Sequence, residues 1–404
     1  MQTLIDRFIR YAKIETTSDP NSHKTPSTNS QLNLSRLLVD ELKEFGLDAY
    51  LDDKGYVYTK INSNINKKVK SIGFIAHVDT SSDAPGLNVS PKIINNYDGK
   101  TIKLNDRYSL DPNEFSDLKD MMGDDLITTD GNTLLGADNK AGVSIIMEMA
   151  KILTSNEDIK HGDIYICFTP DEEIGRGADH FNYDYFKADF AYTVDGGKAG
   201  SIEYENFNAS TAKVTFKGVS IHPGSAKNKL INSVHLFHEF HQMLPKFLDP
   251  SNTSGYEGFN HLVGIKGSVE ETNATYIIRN HDYKLFKDQE NEFNKIKDYL
   301  NDKYKYNAVD LLITESYLNM NEIIKDHPEV IEIAKKAIVN VGLKPISEPI
   351  RGGTDGARLT YGGLICPNLG TGGYNFHGRL EYLNINEFIK SLEVVLEIIN
   401  LVKN

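Results

Sequence analysis

Histidine and carboxylate side chains follow the short apolar runs of this sequence, where buried β-strands are predicted to end. The runs are Ile72–Ala76, Ile164–Phe168, Phe190–Val194 and Gly363–Cys366. The polar residues that follow these runs are His77, Asp79, Glu172, Glu173, Asp195 and His377. Asp138 stands just before a helix that is predicted to begin at Lys140. In an open α/β sheet, ligands bind just beyond the carboxyl ends of the strands. We therefore expect these side chains, which are distant in the chain, to meet at one edge of one sheet.

Histidine and carboxylate groups are the only metal-binding side chains that this chain offers in quantity. The two cysteines, Cys167 and Cys366, lie in apolar stretches and are best explained as small buried residues. His77 and Asp79 are two apart, so their side chains share a direction at a strand end. A carboxylate beside a ligating histidine commonly accepts its other N–H. We interpret His77 as a ligand and Asp79 as the group that orients its ring.

Glu172 and Glu173 are adjacent carboxylates at a chain turn, where they point apart. A solvated pair, or a helix N-terminus, is the ordinary explanation, but the preceding buried strand and Pro170 disfavour it. We predict Glu172 as a general base and Glu173 as a metal ligand. Asp138 stands at a helix start, where capping is equally reasonable, and it is also the best candidate for a carboxylate shared by two cations.

Two cations held by these residues would each receive one histidine, one unshared carboxylate and the shared Asp138. A water between two cations about 3.5–4 Å apart loses its proton near neutral pH, and the bridging hydroxide can attack a peptide carbonyl. Glu172 would take that proton and return it to the leaving amine. Imidazole and carboxylate ligands favour Zn²⁺, and Co²⁺ or Mn²⁺ remain alternatives.

Composition excludes several other classes of function. The net charge of −13, from 44 basic and 57 acidic residues, argues against a nucleic-acid partner. No apolar run approaches the roughly 20 residues that span a bilayer, and charges interrupt the amphipathic N-terminus, so we expect a soluble, cytoplasmic protein without membrane contact.

Two domains are expected from 404 residues and from a change in pattern along the chain. Residues 1–206 and 316–404 alternate apolar runs with amphipathic helices, which predicts an α/β domain with a parallel sheet. The segment between Asp83 and Asp130 is long enough that we expect hairpins within it. Residues 207–315 follow the order β-α-β-β-α-β, which predicts an inserted ferredoxin-like α+β domain.

Taken together, the motifs resemble the M20 family of metallopeptidases, and the resemblance spans nearly the whole chain in order. The segments that carry it are Ala76–Ser81, Gly123–Ile127, Gly136–Gly142, Phe168–Gly175, Val194–Gly197, Ser220–Gly224, Arg351–Ala357 and Asn375–Gly378. The resemblance implies an α/β catalytic domain with a mixed, mainly parallel sheet flanked by helices. It also implies an inserted lid domain and a homodimer.

For the site, the resemblance implies one metal on His77, Asp138 and Asp195 and a second on Asp138, Glu173 and His377. Glu172 matches the family's proton acceptor and Asp79 its second catalytic carboxylate. The implied activity is release of the N-terminal residue from tripeptides. The chain departs from the pattern at Asn139, where a second Asp is usual after a bridging Asp whose following bond is cis. That departure affects only the fine tuning of the site.

We assign His222, Arg279 and Arg351 to the carboxylate of the peptide substrate and to the oxyanion. A guanidinium matches a carboxylate bidentately, and Arg351 precedes a tight glycine-rich loop. His222 is equally explained as a turn residue, Arg279 as a surface residue, and Asn273 is a weaker candidate. The ligand set does not separate a tripeptide aminopeptidase from an M20 dipeptidase, carboxypeptidase or N-acyl amino acid deacylase. A non-catalytic binding protein would have lost a ligand or the base, and this chain has lost neither.

Overall fold

The computed structural model describes residues 2–403, which form two compact units. The first unit comprises the described residues up to Tyr204, together with Glu322–Glu348 and those from Thr354 onward. The second unit comprises Glu205–Asn321 and the short segment Pro349–Gly353. That short segment joins the second unit through the N–H of Ile350, which donates to the carbonyl of Glu205 at 2.8 Å.

Helices and strands alternate along most of the chain. The helices are α1 (Gln2–Ala12), α2 (Gln31–Glu44), α3 (Ala137–Ser155), α4 (Ser233–Met243), α5 (Tyr283–Tyr304), α6 (Asn321–Ile324), α7 (Pro328–Asn340), α8 (Asp355–Tyr361) and α9 (Ile385–Val402). The strands are β1 (Ala49–Leu51), β2 (Val57–Ile61), β3 (Ile72–His77), β4 (Lys92–Ile94), β5 (Ile102–Lys103), β6 (Ser109–Leu110), β7 (Leu126–Thr128), β8 (Ile164–Thr169), β9 (Phe190–Val194), β10 (Ile202–Glu203), β11 (Asn208–Lys217), β12 (Phe259–Gly267), β13 (Glu271–Asn280), β14 (Val309–Tyr317), β15 (Asn368–Leu369), β16 (Gly373–Tyr374) and β17 (Tyr382–Asn384). None of the helices within residues 2–403 is long and apolar enough to cross a bilayer.

A mixed seven-stranded sheet of order β1-β2-β8-β3-β9-β15-β10 is the centre of the first unit. Its middle strands β8, β3, β9 and β15 are parallel, and the outer pairs are antiparallel. Every residue of β3 and β9 is buried, as expected for central parallel strands covered on both faces. This confirms the predicted α/β class and explains why these strands read as continuous apolar runs.

Helix α3 packs on β3 and β9 and is itself covered by α1 and α9. Nearly all of its residues from Asn139 to Ala150 are buried, so it is apolar around most of its circumference. A helix enclosed in this way is fixed along its length, and its first residues lie at the edge of the sheet where β3 and β9 end.

The strand predicted at Gly363–Cys366 is absent, and the regular strand in this region is the two-residue β15. The preceding segment still runs along β9, because the carbonyls of Ile365 and Pro367 accept from the N–H groups of Ala191 and Thr193 at 2.8 and 3.1 Å. Pro367 has no N–H to return to β9, so the ladder becomes regular only after it.

The long connection between Asp83 and Asp130 has its own structure, as predicted. β5 and β6 form a hairpin, and β4 pairs with β7 in a second sheet of order β16-β17-β7-β4. Tyr97, Leu118, Tyr374 and Tyr382 belong to the small apolar core that joins this sheet to the hairpin. The segment that contains His377 therefore lies between two strands of an anchored sheet, β16 and β17.

The second unit has an antiparallel sheet of order β12-β13-β11-β14, with α4 and α5 packed on it. In chain order its elements are β11, α4, β12, β13, α5 and β14, which confirms the ferredoxin-like order. The apolar core is formed by residues that alternate along β11 and β13, such as Val214 and Tyr276, and by Phe240 and Phe293 of the helices.

Candidate metal centre

His77 and Asp195 lie at the ends of two neighbouring parallel strands. His77 is the last residue of β3, and Asp195 directly follows β9. Because parallel strands end at the same edge, the His77 Nε2 atom lies 3.5 Å from Asp195 Oδ1. The His77 side chain is only 2% exposed, and its Nδ1 atom lies 3.1 Å from the carbonyl oxygen of Asp79. That contact directs Nε2 toward the edge of the sheet.

Asp138 lies at the entry to α3, in a backbone that is not yet helical. Its φ and ψ are −86° and 105°, and the peptide bond to Asn139 is cis. Gly136, two residues earlier, has φ +76°, a left-handed conformation that glycine adopts without strain. Asp138 Oδ1 lies 3.0 Å from His77 Nε2, and its Oδ2 lies 3.2 Å from His377 Nε2. Each carboxylate oxygen thus faces a different histidine, which is the geometry of a bridging ligand.

Glu172 and Glu173 lie on a tight turn after β8. Asp79 is fully buried, and its two oxygens accept from the backbone N–H groups of Glu172 at 3.0 Å and Glu173 at 3.1 Å. Asp79 therefore holds the turn with its carboxylate, while the His77 Nδ1 atom is closer to the Asp79 backbone carbonyl, at 3.1 Å, than to the carboxylate predicted to orient the ring, at 3.3 Å. Glu173 Oε2 lies 2.9 Å from His377 Nε2, while Glu173 Oε1 is buried without a hydrogen-bond partner among the described residues.

These side chains form two donor sets around the shared Asp138. The strand-end position consists of His77, Asp138 and Asp195, and the loop position consists of Asp138, Glu173 and His377. Within each set, the donor atoms all lie within 4.8 Å of one another. One imidazole and two carboxylates suit a divalent cation with an open coordination position, and the unpartnered Glu173 Oε1 is an unused donor at the loop position. The residues therefore fit a pair of metal ions.

The charges of the centre agree with that fit. Burial alone would lower the pKa of His77, but the carboxylates of Asp195 and Asp138 raise it well above its usual range. Hydrogen bonds to Asp138 and Glu173 raise the pKa of His377 to about 11. Burial would raise the pKa of Asp138, and the two histidines reverse this and lower it. Without cations, protons on the imidazoles balance the carboxylates, so cations would take the place of those protons.

Glu172 lies beside the two donor sets and belongs to neither. Burial raises its pKa well above the usual range, His77 opposes that shift, and Asp355 and Asp195 add to it. A buried carboxylate beside the donor sets that is not itself a ligand is positioned to accept and return a proton.

Sequence reasoning missed two buried carboxylates near this turn. Asp355 accepts from the Thr169 hydroxyl at 3.0 Å, and burial raises its pKa to about 7. Asp171 accepts from the backbone N–H of Ser27 at 2.8 Å and from Gln31 Nε2 at 2.7 Å, which ties the turn to the segment before α2. A local signal existed for Asp171, since Pro170-Asp171 after a buried strand is a turn signal and Asp tolerates its φ of +60°.

A cavity of about 480 Å³ opens beside the loop position. It is lined by Glu173 and His377 and, among others, by His23, Ser82, Asp83 and Arg176. Its volume lies in the range of small-molecule sites, and its lining is polar and charged.

The residues predicted to bind substrate all lie in the second unit. Arg279 Nη1 donates to the Arg351 carbonyl at 3.1 Å, so the structure brings these two residues together. The Arg351 guanidinium donates to the carbonyls of Gly255 at 2.6 Å and Glu257 at 3.1 Å, which commits it to its own unit. His222 Nδ1 accepts from the N–H of Gly224 at 3.2 Å, which is the turn role considered from the sequence. The weaker candidate pairs across β11 and β13, where Asn273 Oδ1 accepts from the Thr215 hydroxyl at 2.7 Å.

Comparison with known proteins agrees with this architecture. Residues 204–308 match the family model of the M20 peptidase dimerisation domain, and residues 127–240 match that of M42 glutamyl aminopeptidase. The chain is 52% identical over 402 residues to peptidase T of Clostridium perfringens, with 99% of each chain covered. Its fold is similar to that of the aminopeptidase PepT of Bacillus cereus, with a TM-score of 0.80, 20% identity and coverage of 100% and 99% of the two chains. It is also similar to that of a Staphylococcus aureus tripeptidase, with a TM-score of 0.79, 21% identity and coverage of 100% and 98%. The chain belongs to the peptidase T family of M20 metallopeptidases.

Proposed function

We propose that this protein is a metal-dependent aminopeptidase that releases the N-terminal residue from tripeptides, with Glu172 as the general base. The observation that carries the proposal is the arrangement around Asp138, where two donor sets share one carboxylate and Glu172 lies beside them unused as a ligand. Membership of the peptidase T family, and the fold shared with a tripeptidase, support tripeptides as the substrate class.

His77, Asp138 and Asp195 would hold one divalent ion, and Asp138, Glu173 and His377 the other. We propose Zn²⁺ for both positions, because each offers one imidazole and two carboxylates, ligands that Zn²⁺ commonly takes in catalytic sites. Co²⁺ and Mn²⁺ are the possible substitutes. When bound, such a pair lowers the pKa of an attacking water and stabilises the negative charge that develops on the peptide carbonyl oxygen.

The protein's own groups then move and orient protons. The Glu172 carboxylate accepts the proton of the attacking water and delivers it to the leaving amine. Asp79 keeps Glu172 in place through the backbone of the turn and keeps the His77 ring oriented. Both roles of Asp79 act through other residues, so we propose that this second carboxylate of the machinery is a positioning residue for Glu172 and His77.

For the substrate's carboxylate we propose Arg279, with Arg351 and His222 in supporting roles. Arg279 Nε is buried without a hydrogen-bond partner among the described residues, so its guanidinium has donor capacity left. Arg351 has less, because its donors already bond to the backbone of its own unit. Replacement Arg279→Lys should raise KM for tripeptides with a free carboxylate and leave KM for tripeptide amides unchanged.

We also propose that the protein is a homodimer that acts in the cytoplasm. The match of residues 204–308 to a peptidase dimerisation domain supports the dimer, which light scattering on the purified protein would test. The two buried cysteines, Cys167 and Cys366, are free thiols, in agreement with a reducing compartment.

A substrate panel tests the proposed activity. The metal-loaded protein should hydrolyse Xaa-Gly-Gly faster than Xaa-Gly or longer peptides, and blocking the α-amino group should abolish hydrolysis. Preference for dipeptides, for a C-terminal bond or for N-acyl amino acids would identify another M20 activity and overturn the proposal. Hydrolysis should also disappear in Glu172→Ala with metal content retained.

A further inference from the structure

Glu381 is a buried carboxylate that contacts the backbone of the loop before α3. Its side chain is only 1% exposed, and its Oε2 atom accepts from the N–H groups of Leu135 at 2.7 Å and Gly136 at 2.8 Å. Its Oε1 atom accepts from the N–H of Asp138 at 3.0 Å. One carboxylate thus satisfies N–H groups of the loop that leads to the shared ligand. Gly136, the N-cap residue of α3, has no side chain that could accept a hydrogen bond. The Glu381 carboxylate is therefore the acceptor for these three N–H groups.

The same residue belongs to the segment that carries His377. Glu381 comes four residues later, and its own N–H donates to the carbonyl of Gly378 at 3.3 Å. Asn375 Nδ2 donates to the carbonyl of Leu380 at 3.2 Å, which closes the turn around His377. Directly after Glu381 comes β17, which pairs with β7. Glu381 therefore joins an anchored strand, the turn of His377 and the loop of Asp138.

The two donor sets depend on this junction to different degrees. In the strand-end position, two of the three ligands are held by the sheet: His77 pairs with Thr169 of β8, and the N–H of Asp195 donates to the carbonyl of Leu369 of β15 at 3.0 Å. In the loop position, His377 stands in a turn with φ +62°, and Asp138 lies on a backbone that is not helical. Both of these ligands are attached to segments that Glu381 joins.

We propose that Glu381 is a positioning residue that sets the separation between Asp138 and His377 and thereby controls occupancy of the loop position. This inference rests on the proposed binding of two cations. A carboxylate that only capped α3 would change the stability of the fold and would affect both ions alike. A carboxylate that spaces Asp138 and His377 weakens the second ion more than the first, because Asp138 is the only ligand of the first ion on a segment that Glu381 joins.

Glu381→Gln tests the inference through metal binding, measured by calorimetric titration of the metal-free protein with Zn²⁺ and by metal analysis. The variant keeps the shape of the side chain, but its amide nitrogen would face backbone N–H groups. We expect the second ion to bind about 10–100-fold more weakly and the first ion, which shares only Asp138 with it, to lose less affinity, with excess Zn²⁺ restoring two ions. In a His377→Ala background, which removes the loop position, adding Glu381→Gln should weaken the remaining ion by less than it weakens the second ion of the parent protein.

Glu148→Gln is the matched control. Glu148 is also a buried carboxylate of the first unit, and it accepts from Arg7 Nη2 at 3.4 Å in the contact between α1 and α3. It should change thermal stability and leave both affinities unchanged.

Equal weakening of both ions by Glu381→Gln, or no change in either, would overturn the inference and leave the proposed function intact. A parent protein that does not bind two ions would overturn the proposed function itself. If Glu381→Gln does not fold, the same comparison is made with Glu381→Asp, which keeps the charge and withdraws it by one methylene. The second ion should again weaken more than the first.

Discussion

The strand-end position and the loop position share Asp138 but differ in the backbone that supports them. His77 and Asp195 end adjacent parallel strands, and the His77 side chain is buried. Glu173 lies on a one-turn helix after β8, and His377 lies in a turn where its side chain is 45% exposed. One position is part of the sheet, and the other is assembled from connections.

The difference shows two ways of placing a ligand. A strand-end ligand is located mainly by the backbone hydrogen bonds of its ladder, and Asp79 adds only the orientation of the His77 ring. A loop ligand is located by a few side chains that accept from the backbone, such as Asp79 behind Glu173 and Glu381 behind Asp138. We therefore expect the loop position to be the more sensitive of the two to replacement of nearby buried carboxylates.

The largest expected effect is a loss of kcat that distinguishes Glu172, the proposed base, from the ligands of the two metal positions. Glu172→Gln should lower kcat about 10²–10⁴-fold, because the proton acceptor is lost while both donor sets remain complete. Steady-state kinetics with metal analysis on the same sample would measure this. The control is Glu157→Gln. Glu157 is an exposed residue in the turn after α3, so its replacement should leave kcat unchanged. A Glu172→Gln protein that lost metal in proportion to activity would mean that Glu172 is a ligand.

The next effect compares the two histidines in the metal-free protein. His77→Ala should lower the free energy of unfolding by about 3–5 kcal/mol, because it leaves the carboxylate of Asp195 without the His77 imidazolium, and Asp138 with His377 alone, in a buried site. His377→Ala should cost less, since solvent screens a half-exposed imidazole. Urea unfolding in the presence of a chelator would measure both. The opposite order would contradict the contrast between the two positions.

The carboxylates behind the two histidines give a smaller contrast. Asp79 is fully buried beside His77 Nδ1 at 3.3 Å, whereas Asp83 is 72% exposed and lies 3.7 Å from His377 Nδ1. Asp79→Asn should weaken metal binding about 10–100-fold. Asp83→Asn should weaken it by at most about fivefold, the equivalent of about 1 kcal/mol. Competition with a fluorescent chelator would measure both affinities. Equal effects would show that the burial of a carboxylate behind a histidine ligand does not determine its contribution to metal binding.

The last comparison is the pH dependence of metal affinity at the loop position. In the metal-free protein the pKa of His377 is about 11, so a cation must displace a proton at neutral pH. Apparent affinity should rise about tenfold per pH unit for each proton displaced. Calorimetry in buffers of different ionisation enthalpy would count those protons, and the slope should fall in His377→Ala.

The same raised pKa affects the stability of the metal-free protein with the opposite dependence on pH. Because the folded-state pKa of His377 exceeds the usual value of 6.5, its ion pairs stabilise the fold fully below that value. That stabilisation is lost as the pH rises through about 11. Chelator-treated protein should therefore lose stability in alkaline solution, where the metal-loaded protein binds its ions best.

Much of the first unit was predictable because central parallel strands are buried on both faces. Their apolar runs were recognised at β3, β8 and β9, and the carboxyl-end rule led to the expectation that the polar residues after them converge. The structure places these residues together. The prediction at Gly363–Cys366 was wrong because an apolar run does not show that Pro367 interrupts the ladder.

Other features had no sequence pattern to reveal them. Arg351 precedes a glycine-rich loop, yet the structure commits its guanidinium to the carbonyls of Gly255 and Glu257. Glu381 and Asp355 are single carboxylates whose partners lie far away in the chain. A lone carboxylate is most often a solvated surface residue, and only tertiary packing shows that these two are buried.

The sequence by itself determined the class of the fold, the strand ends and the types of side chain available to bind cations. These follow from local patterns, since the burial of a strand and the chemistry of the next residues are written within a few positions. The tertiary structure decided which carboxylate oxygen faces which histidine, and which buried carboxylates hold the ligand loops. Those distances depend on segments that lie from 61 to 243 residues apart in the chain, and their approach is set by the packing of the whole unit.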